Sequence, residues 1–379
     1  MTLKVHWLGF LVAVACACTC RTVAARDDAR IGYLAPGWVK QEAARGVIGA
    51  LKWCGSDGGK LIASINDHPS VIDLTRNATR SVAVRLVDGG RSLTCSGDGK
   101  YAFFGDSENQ RLYMADTETA EVRLLYQTPG GASPDMLPRP DSVSTLVSPK
   151  MTYIIGGAEA PASIALPKGG VIKVLKSSAL GRTSSDDVEF YRTAVWSDDE
   201  RFLFWIESEQ LTAYEPTSGK TYRRALGVEG FQPWTLIPRP GEPEEVYVVL
   251  IARDEQSGKE YKLRFLDPKA RARPLLSHLE PYAYAPVAAD GTVAFSRPLY
   301  PTNQPRFQAD DVAAIPLAGR VYVKREGRES LLAVLRSDVQ PLLSKDGKII
   351  VYVEAAADTA APSGLASQRV VTLRPGHDR

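Results

Sequence analysis

A ten-residue pattern recurs along this 379-residue chain and constrains its fold more than any other feature. In its fullest form, Cys95–Phe104, an apolar residue and a serine precede an Asp-Gly turn, and a β-rich strand follows. The other copies, which begin about 40 to 56 residues apart, are Cys54–Leu61, Val147–Tyr153, Trp196–Phe204, Val287–Val293 and Leu343–Val351. A seventh, degenerate copy is expected at Ile237–Val249, where a proline-rich turn replaces Asp-Gly.

Repeats of about 40 to 50 residues with four short strands each are typical of β-propeller blades. The turn chemistry agrees, because Asp accepts backbone N–H groups and Gly supplies the positive φ of a tight turn. A third strand and a polar hairpin follow the best copies, as in Arg111–Asp116 and Thr117–Thr119. We therefore predict an all-β chain that forms a β-propeller of seven blades, with six as the alternative.

The segment Trp196-Ser197-Asp198-Asp199-Glu200 and its copies resemble the W-S-P-D-G-K repeats of the TolB-like propellers, which are WD40-like. The resemblance covers about residues 45–375 and implies a fold far more than a function. TolB itself carries an α/β domain before its propeller, whereas only some twenty mature residues precede the first blade expected here. TolB's own activity is therefore not transferred to this chain.

The last blade ends one strand short. Its strands are expected at Val339–Leu343, Ile349–Glu354 and Arg369–Leu373. Propellers usually take the missing strand from the other terminus, which removes two exposed sheet edges at once. Ile31–Leu34 or Gly46–Leu51 could supply that closing strand.

The N-terminus has the order of a secretory signal peptide. Lys4 and His6 form a basic start, the apolar run Trp7–Ala17 follows, and cleavage is expected between Ala25 and Arg26. The apolar run is about half as long as a membrane-spanning helix needs, so no transmembrane span is predicted. The domain prediction is a signal peptide at 1–25, an N-terminal extension at 26–44 and the propeller at 45–379.

Export predicts a periplasmic or secreted protein. The early cysteines leave one alternative open, an outer-membrane lipoprotein, although Ala13-Val14-Ala15-Cys16 lacks the large aliphatic residue expected three positions before a lipidated cysteine. Loss of Lys4 and Arg21 with the signal removes the small excess of 46 basic over 44 acidic residues. Nucleic-acid binding needs a basic surplus, so that class of function is disfavoured.

Two cysteines remain in the mature chain, Cys54 and Cys95, and both occupy the same position of the repeat. The other copies place Val147, Trp196 and Leu343 there, which indicates a packing position between blades. Buried core thiols are therefore expected, because free Cys often behaves as a small hydrophobic residue. A disulfide between Cys54 and Cys95 of neighbouring blades is the second hypothesis, and a reactive or metal-binding role is the third.

The recurring aspartates are interpreted as turn-stabilising residues rather than as a ring of catalytic carboxylates. They are Asp57, Asp98, Asp199, Asp290 and Asp346. The mature histidines His68, His278 and His377 fall in polar loops or in the tail, and no Gly-x-Ser-x-Gly, His-Glu-x-x-His or Cys-x-x-Cys motif is present. No catalytic residue, metal ligand or cofactor is therefore predicted.

Departures from the repeat are where binding is expected, since loops on a rigid scaffold carry function. The largest is Arg297–Asp311, inserted between the second and third strands of the sixth blade. Its mixture of aromatic, Arg and amide side chains favours contact surfaces, and the equivalent loops of other blades must emerge on the same face. The candidate binding residues are Tyr300, Asn303, Arg306, Phe307, Asp106, Glu108 and Asn109.

A Ca²⁺ ion held by Asp310 and Asp311 with Asp106 or Glu108 is a further alternative, because its ligands are oxygens. The leading prediction is an exported, non-catalytic propeller that binds a protein partner, or acts as a scaffold, in the cell envelope or outside it. The alternatives are a propeller enzyme acting on glycans or lactones and a glycan-binding module without turnover.

Overall fold

The structure is a computed structural model that describes residues 31–55, 57–86, 93–106, 111–127, 147–156, 161–167, 169–180, 190, 193–226, 228–252, 258–267, 272–279, 284–299, 318–335, 341–355 and 367–376. Within these ranges nearly all regular structure is β-strand, with one 3-10 turn at Ser177–Leu180. The strands are β1 (Trp38–Gly46), β2 (Ile48–Cys54), β3 (Lys60–Ile65), β4 (His68–Asp73), β5 (Ala78–Ser81), β6 (Thr94–Cys95), β7 (Tyr101–Asp106), β8 (Arg111–Asp116), β9 (Val122–Gln127), β10 (Tyr153–Gly156), β11 (Ser163–Ala165), β12 (Val171–Lys176), β13 (Val195–Trp196), β14 (Leu203–Glu207), β15 (Gln210–Glu215), β16 (Lys220–Ala225), β17 (Phe231–Pro238), β18 (Glu245–Ala252), β19 (Gly258–Arg264), β20 (Arg273–Leu279), β21 (Val293–Leu299), β22 (Ala318–Arg325), β23 (Arg328–Leu335), β24 (Leu342–Leu343), β25 (Ile350–Ala355) and β26 (Gln368–Pro375).

The strands form seven sheets arranged in a ring, so the seven-bladed β-propeller predicted from the repeat is confirmed. Blades 1, 2, 4 and 5 are the simple meanders β2–β5, β6–β9, β13–β16 and β17–β20. In blades 3 and 6 the innermost strand is reduced to one bridge residue, Val147 opposite Ile154 and Val287 opposite Val293. Blade 3 is also irregular further out, because β12 runs parallel to β10 and separates it from β11.

The ring closes in blade 7 with an N-terminal strand, as expected, but the strand is not one of the two predicted. β1 pairs antiparallel with β26 from Trp38 opposite Pro375 to Gly46 opposite Gln368, and so becomes the outer strand of blade 7. Gly46–Leu51 instead belongs mostly to β2, the inner strand of blade 1. The strand choice was missed because Trp38–Gly46 carries no copy of the repeat.

The other predicted closing segment, Ile31–Leu34, lies against blade 6. The Gly32 amide donates to the Val334 carbonyl at 2.9 Å, and the Ala35 amide donates to the Leu332 carbonyl at 2.8 Å. These bonds cover the open edge of β23. Within the segment predicted as an extension, 26–44, residues 32–35 thus bond to blade 6 and residues 38–44 pair with blade 7.

Each blade buries its faces against its two neighbours. Between blades 4 and 5, for example, Phe202 and Phe204 pack against Val246 and Val248, all of them buried. All eight residues of β18 are buried, which is expected of a sheet covered on both sides. Burial of each such apolar side chain contributes about 1.5 to 3 kcal/mol, so packing between neighbouring blades is a main source of stability.

Candidate functional site

The turn between the first and second strands of a blade is held by one serine and one aspartate. In blade 2 the Ser96 hydroxyl donates to Asp98 Oδ1 at 2.7 Å and accepts from the Tyr101 amide at 3.0 Å. Asp98 Oδ1 also accepts from the Lys100 amide at 3.1 Å. The same set of bonds recurs in blade 4 around Ser197 and Asp199 and in blade 7 around Ser344 and Asp346.

These bonds confirm that the recurring aspartates stabilise turns. Partial burial opposes ionisation of Asp98, but the bonds from Ser96 and the Lys100 amide outweigh it and lower the pKa of Asp98. The pKa of Asp346 is lowered in the same way, by Ser344 and the Lys348 amide acting against burial. Both carboxylates are thus fixed in the charged, hydrogen-bonded form that the turn uses.

Blade 3 lacks the aspartate, because its turn reads Ser148-Pro149-Lys150. Glu200 of blade 4 takes over that role: its Oε1 atom accepts hydrogen bonds from the Ser148 hydroxyl and the Lys150 amide. Glu200 is buried and has a φ of 65°, and it stands where blades 2 and 7 have Gly99 and Gly347. One side chain therefore completes the turn of blade 3 and ties that turn to blade 4.

Cys54 and Cys95 form a disulfide, with their Cα atoms 5.1 Å apart. The expectation of free core thiols was wrong, and the second reading, a bridge between neighbouring blades, is correct. The cysteines end the inner strands β2 and β6, and the chains approach closely just beyond them. A Cβ atom on Gly55 would lie 2.9 Å from the Gly99 Cα atom, so the close approach requires glycine.

The inner strands and these turns surround an axial cavity of about 720 Å³. Its lining comes from all seven blades, and its apolar wall is formed by Trp53, Val147, Trp196, Val287 and Leu343. Met151 and Cys95 also line it. We call the end of the disc that carries the inner-strand turns the turn face, and the cavity lies beneath it.

Charged side chains surround the cavity at the turn face. Lys150, Asp98, Asp198 and Lys345 all line it. Lys345 Nζ lies 2.6 Å from Asp198 Oδ2, and Lys150 Nζ donates to the Asp199 carbonyl at 3.2 Å. The site therefore combines an apolar wall with a rim that carries both signs of charge, an arrangement suited to ligand binding.

In the sequence, the residues predicted to bind end or follow the second strands of blades 2 and 6, β7 and β21. Antiparallel strands alternate in direction, so the loops between second and third strands emerge on the face opposite the turns. We call it the loop face. Of the predicted residues, Tyr300, Asn303, Arg306, Phe307, Glu108 and Asn109 lie outside the described residues, as do Asp310 and Asp311. Asp106 is the last residue of β7, and its backbone lies opposite that of Arg111 in β8.

Of the histidines considered in the sequence, His68 and His278 fall in described residues, His68 at the start of β4 and His278 within β20. The Nδ1 atom of His68 lies 3.0 Å from the carbonyl oxygen of Val84, which follows β5. Among the residues that the structure describes, no group of three or more His, Cys, Asp or Glu is placed to hold a metal ion. Nor does that part of the chain contain a helix long and apolar enough to cross a membrane.

One buried acid lies away from the cavity, between blades 5 and 6. Glu260 of β19 is fully buried, and its Oε2 atom accepts from the Ala285 amide at 3.0 Å. Burial raises the pKa of Glu260 to about 8, and this hydrogen bond offsets only part of the effect. Burial therefore favours the neutral carboxylic acid form of this side chain, which joins the two blades.

No protein-family model matches the chain, and no curated protein matches it. Solved structures similar to it include the Cps50 (Swd1) β-propeller domain of Myceliophteria thermophila, 10% identical, covering 88% of this chain and 99% of that one at a TM-score of 0.47. A catalytically inactive virginiamycin B lyase from Staphylococcus aureus with quinupristin is 12% identical over 89% and 99% at 0.46. TolB from Acinetobacter baumannii is 12% identical over 89% and 82% at 0.40. At such values these similarities carry no argument about function, and the fold rests on the strand pairing.

The axial cavity could not be predicted from the sequence, because its lining is assembled from residues as far apart as Trp53 and Lys345. One signal was present. In the Ser-x-Asp turns the middle residue is Gly97 in blade 2, but it is charged in blades 4 and 7, as Asp198 and Lys345. These two departures from the repeat face the cavity.

Proposed function

We propose that this chain is an exported, non-catalytic β-propeller that binds a protein partner in the cell envelope or outside the cell. The observation that carries the proposal is the axial cavity, because its wall draws on every blade and opens at the turn face. A rigid ring that presents a concave, largely apolar site is suited to recognition.

The lining favours a segment of a protein as the ligand. Trp53 and Met151 are half-buried on the cavity wall and offer apolar and aromatic surface, the kind that dominates protein-binding energy. Lys150, Asp198 and Lys345 at the rim offer charges of both signs to a polypeptide. An apolar side chain inside and charged neighbours at the rim would satisfy both parts of the site.

The disulfide supports export. Structural disulfides persist in oxidising compartments and are rare in the cytosol, so the Cys54–Cys95 bond fits a protein that leaves the cytoplasm. The signal peptide predicted at 1–25 and the lipoprotein alternative concern residues outside the described ranges. The Ser-x-Asp turns are the part of the repeat that resembles the TolB-like propellers. They therefore support the proposal that this propeller is TolB-like.

The test is recovery of cross-linked neighbours from intact cells that export the protein, with the mature chain as bait. The matched pair of variants is Trp53→Gln with Met151→Gln on the cavity wall, and Tyr300→Ala with Arg306→Ala and Phe307→Ala in the insertion that the sequence predicts to bind. We expect a specific protein with wild type and its loss with the cavity variant, provided both variants unfold cooperatively as wild type does. Binding of glycans but no protein by the pure chain would overturn the proposal.

A further inference from the structure

The turns at the turn face contact one another mainly around the ring. The Gly97 amide of blade 2 donates to the Pro149 carbonyl of blade 3, and Lys150 of blade 3 donates to the Asp199 carbonyl of blade 4. The Ala289 amide of blade 6 donates to the Lys345 carbonyl of blade 7 at 2.9 Å. All of these bonds join neighbouring blades.

One contact does not follow the ring. Asp198 belongs to blade 4 and Lys345 to blade 7, which are three blades apart in a ring of seven, yet their charged groups lie 2.6 Å apart. The ion pair therefore runs across the axis. We call it the axial bar.

The axial bar lies nearer the turn face than the cavity wall does. Asp198 follows the last residue of β13, Trp196, by two positions, and Lys345 follows the last residue of β24, Leu343, by two. Trp196 and Leu343 line the cavity from the inner strands, whereas the bar residues occupy the turns beyond those strands. A ligand that enters along the axis from the turn face therefore meets the bar before it reaches the cavity wall.

The pair has the properties of a closure that opens. The side chains of Asp198 and Lys345 are 42% and 36% exposed, so solvent and salt weaken their attraction. Exposed ion pairs contribute at most about 1 kcal/mol, which shifts an equilibrium by up to about fivefold at 25 °C. Such a pair can obstruct the opening of the cavity and still separate readily.

We propose that the axial bar controls access to the axial cavity and opens when an entering ligand supplies replacement charges. The biological role of the axial bar rests on the proposed function, whereas its effect on access to the cavity does not. Rupture of the bar exposes an ammonium and a carboxylate at one opening. A ligand segment that carries both an acidic and a basic group pairs with both, and is favoured over an uncharged one.

The experiment measures quenching of tryptophan fluorescence by acrylamide, a neutral molecule that needs no partner protein. Trp53 and Trp196 line the cavity. Each protein is compared with a control that carries the same bar residues together with Trp53→Phe and Trp196→Phe. The difference in quenching between the two gives the contribution of the cavity indoles. The variants are Asp198→Asn, Lys345→Gln, and the charge exchange Asp198→Lys with Lys345→Asp. Thermal unfolding checks that each protein is folded.

We expect each single variant to raise the quenching constant of the cavity indoles by about two- to fivefold, the range available to an exposed ion pair. The charge exchange returns it to the wild-type value, because the pair re-forms with its signs reversed. Added NaCl raises quenching in wild type and not in Asp198→Asn. Equal quenching in wild type and both single variants, or an exchange variant that behaves like the single variants, would overturn the proposal. Neither result affects the partner-recovery test, so the two proposals fail separately.

Discussion

Two joints between blades hold the same part of the repeat by different means. Between blades 1 and 2 the ends of the inner strands are linked covalently by Cys54 and Cys95. Between blades 3 and 4 the link is polar, and Glu200 supplies the acceptor that the turn at Ser148 lacks. The comparison teaches that the repeat specifies each blade, while single departures from it decide how neighbouring blades are joined at the turn face.

The covalent joint should give the largest effect when broken. Replacing both cysteines by alanine frees a loop with a sequence separation of 41 residues, whose closure entropy is about 4 kcal/mol. We expect the free energy of unfolding, measured by urea denaturation, to fall by about 3 to 4 kcal/mol. Incubation of wild type with a reductant should reproduce most of that loss. An unchanged denaturation midpoint in both would show that the bond adds nothing to stability.

Loss of the polar joint between blades 3 and 4 should lower the free energy of unfolding by less. Glu200→Ala leaves the Ser148 hydroxyl and the Lys150 amide without their acceptor, and the loss of such buried bonds costs about 1 to 3 kcal/mol. The matched rescue is Lys150→Asp combined with Glu200→Gly, which gives blade 3 its own aspartate and blade 4 the glycine of the repeat. We expect the double variant to be more stable than Glu200→Gly alone. Equal stability of those two would remove the role assigned to Glu200.

A third joint, between blades 5 and 6, should respond to pH. The folded-state pKa of Glu260 is raised to about 8, above its unfolded value, so rising pH ionises the unfolded chain first and stability falls up to about pH 8. Glu260→Gln keeps an acceptor for the Ala285 amide and removes the titration. Its stability advantage should therefore grow by about 1.4 kcal/mol between pH 6 and pH 7. A constant difference in Tm across this range would contradict the prediction.

The smallest effect is expected within a single turn. Asp98→Ala removes the acceptor for Ser96 and the Lys100 amide, and about 1 kcal/mol of stability should be lost at pH 7. The pKa of Asp98 is lowered in the folded state, so its contribution exists above the unfolded pKa and disappears as pH falls through the folded one. Wild type and variant should therefore converge in stability at acid pH. A difference in stability between the two proteins that persists below pH 2 would show that Asp98 contributes through packing rather than through these hydrogen bonds.

The fold was predictable because its signal is local. Ser-x-Asp turns such as Ser197–Asp199 contain their own hydrogen bonds, so the turn is recognisable in the sequence. Each copy of the repeat indicates one blade, and the number of copies indicates the number of blades. The closing strand was not predictable in detail, because Trp38–Gly46 pairs with β26 through backbone groups and needs no motif. Local chemistry is visible in a sequence, whereas backbone pairing between the two ends of the chain is not.

The candidate site was predictable only in part. Cys54 and Cys95 share a repeat position with Val147 and Trp196, which indicated packing, and only the close approach of blades 1 and 2 shows why a bond forms there. The cavity depends on inner strands and turns of all seven blades, which bring together residues as far apart in sequence as Trp53 and Lys345. The structure does not describe Tyr300, Arg306 and Phe307, so binding by this insertion stays a prediction from the sequence and competes with binding at the cavity.

The most direct test of the account is which face of the disc a partner contacts. Cross-linked neighbours should be recovered from intact cells in parallel for wild type, the cavity variant with Trp53→Gln and Met151→Gln, and the loop variant with Tyr300, Arg306 and Phe307 changed to alanine. We predict that the partner is lost with the cavity variant and kept with the loop variant. Retention by a folded cavity variant together with loss by the loop variant would contradict the assignment of binding to the turn face.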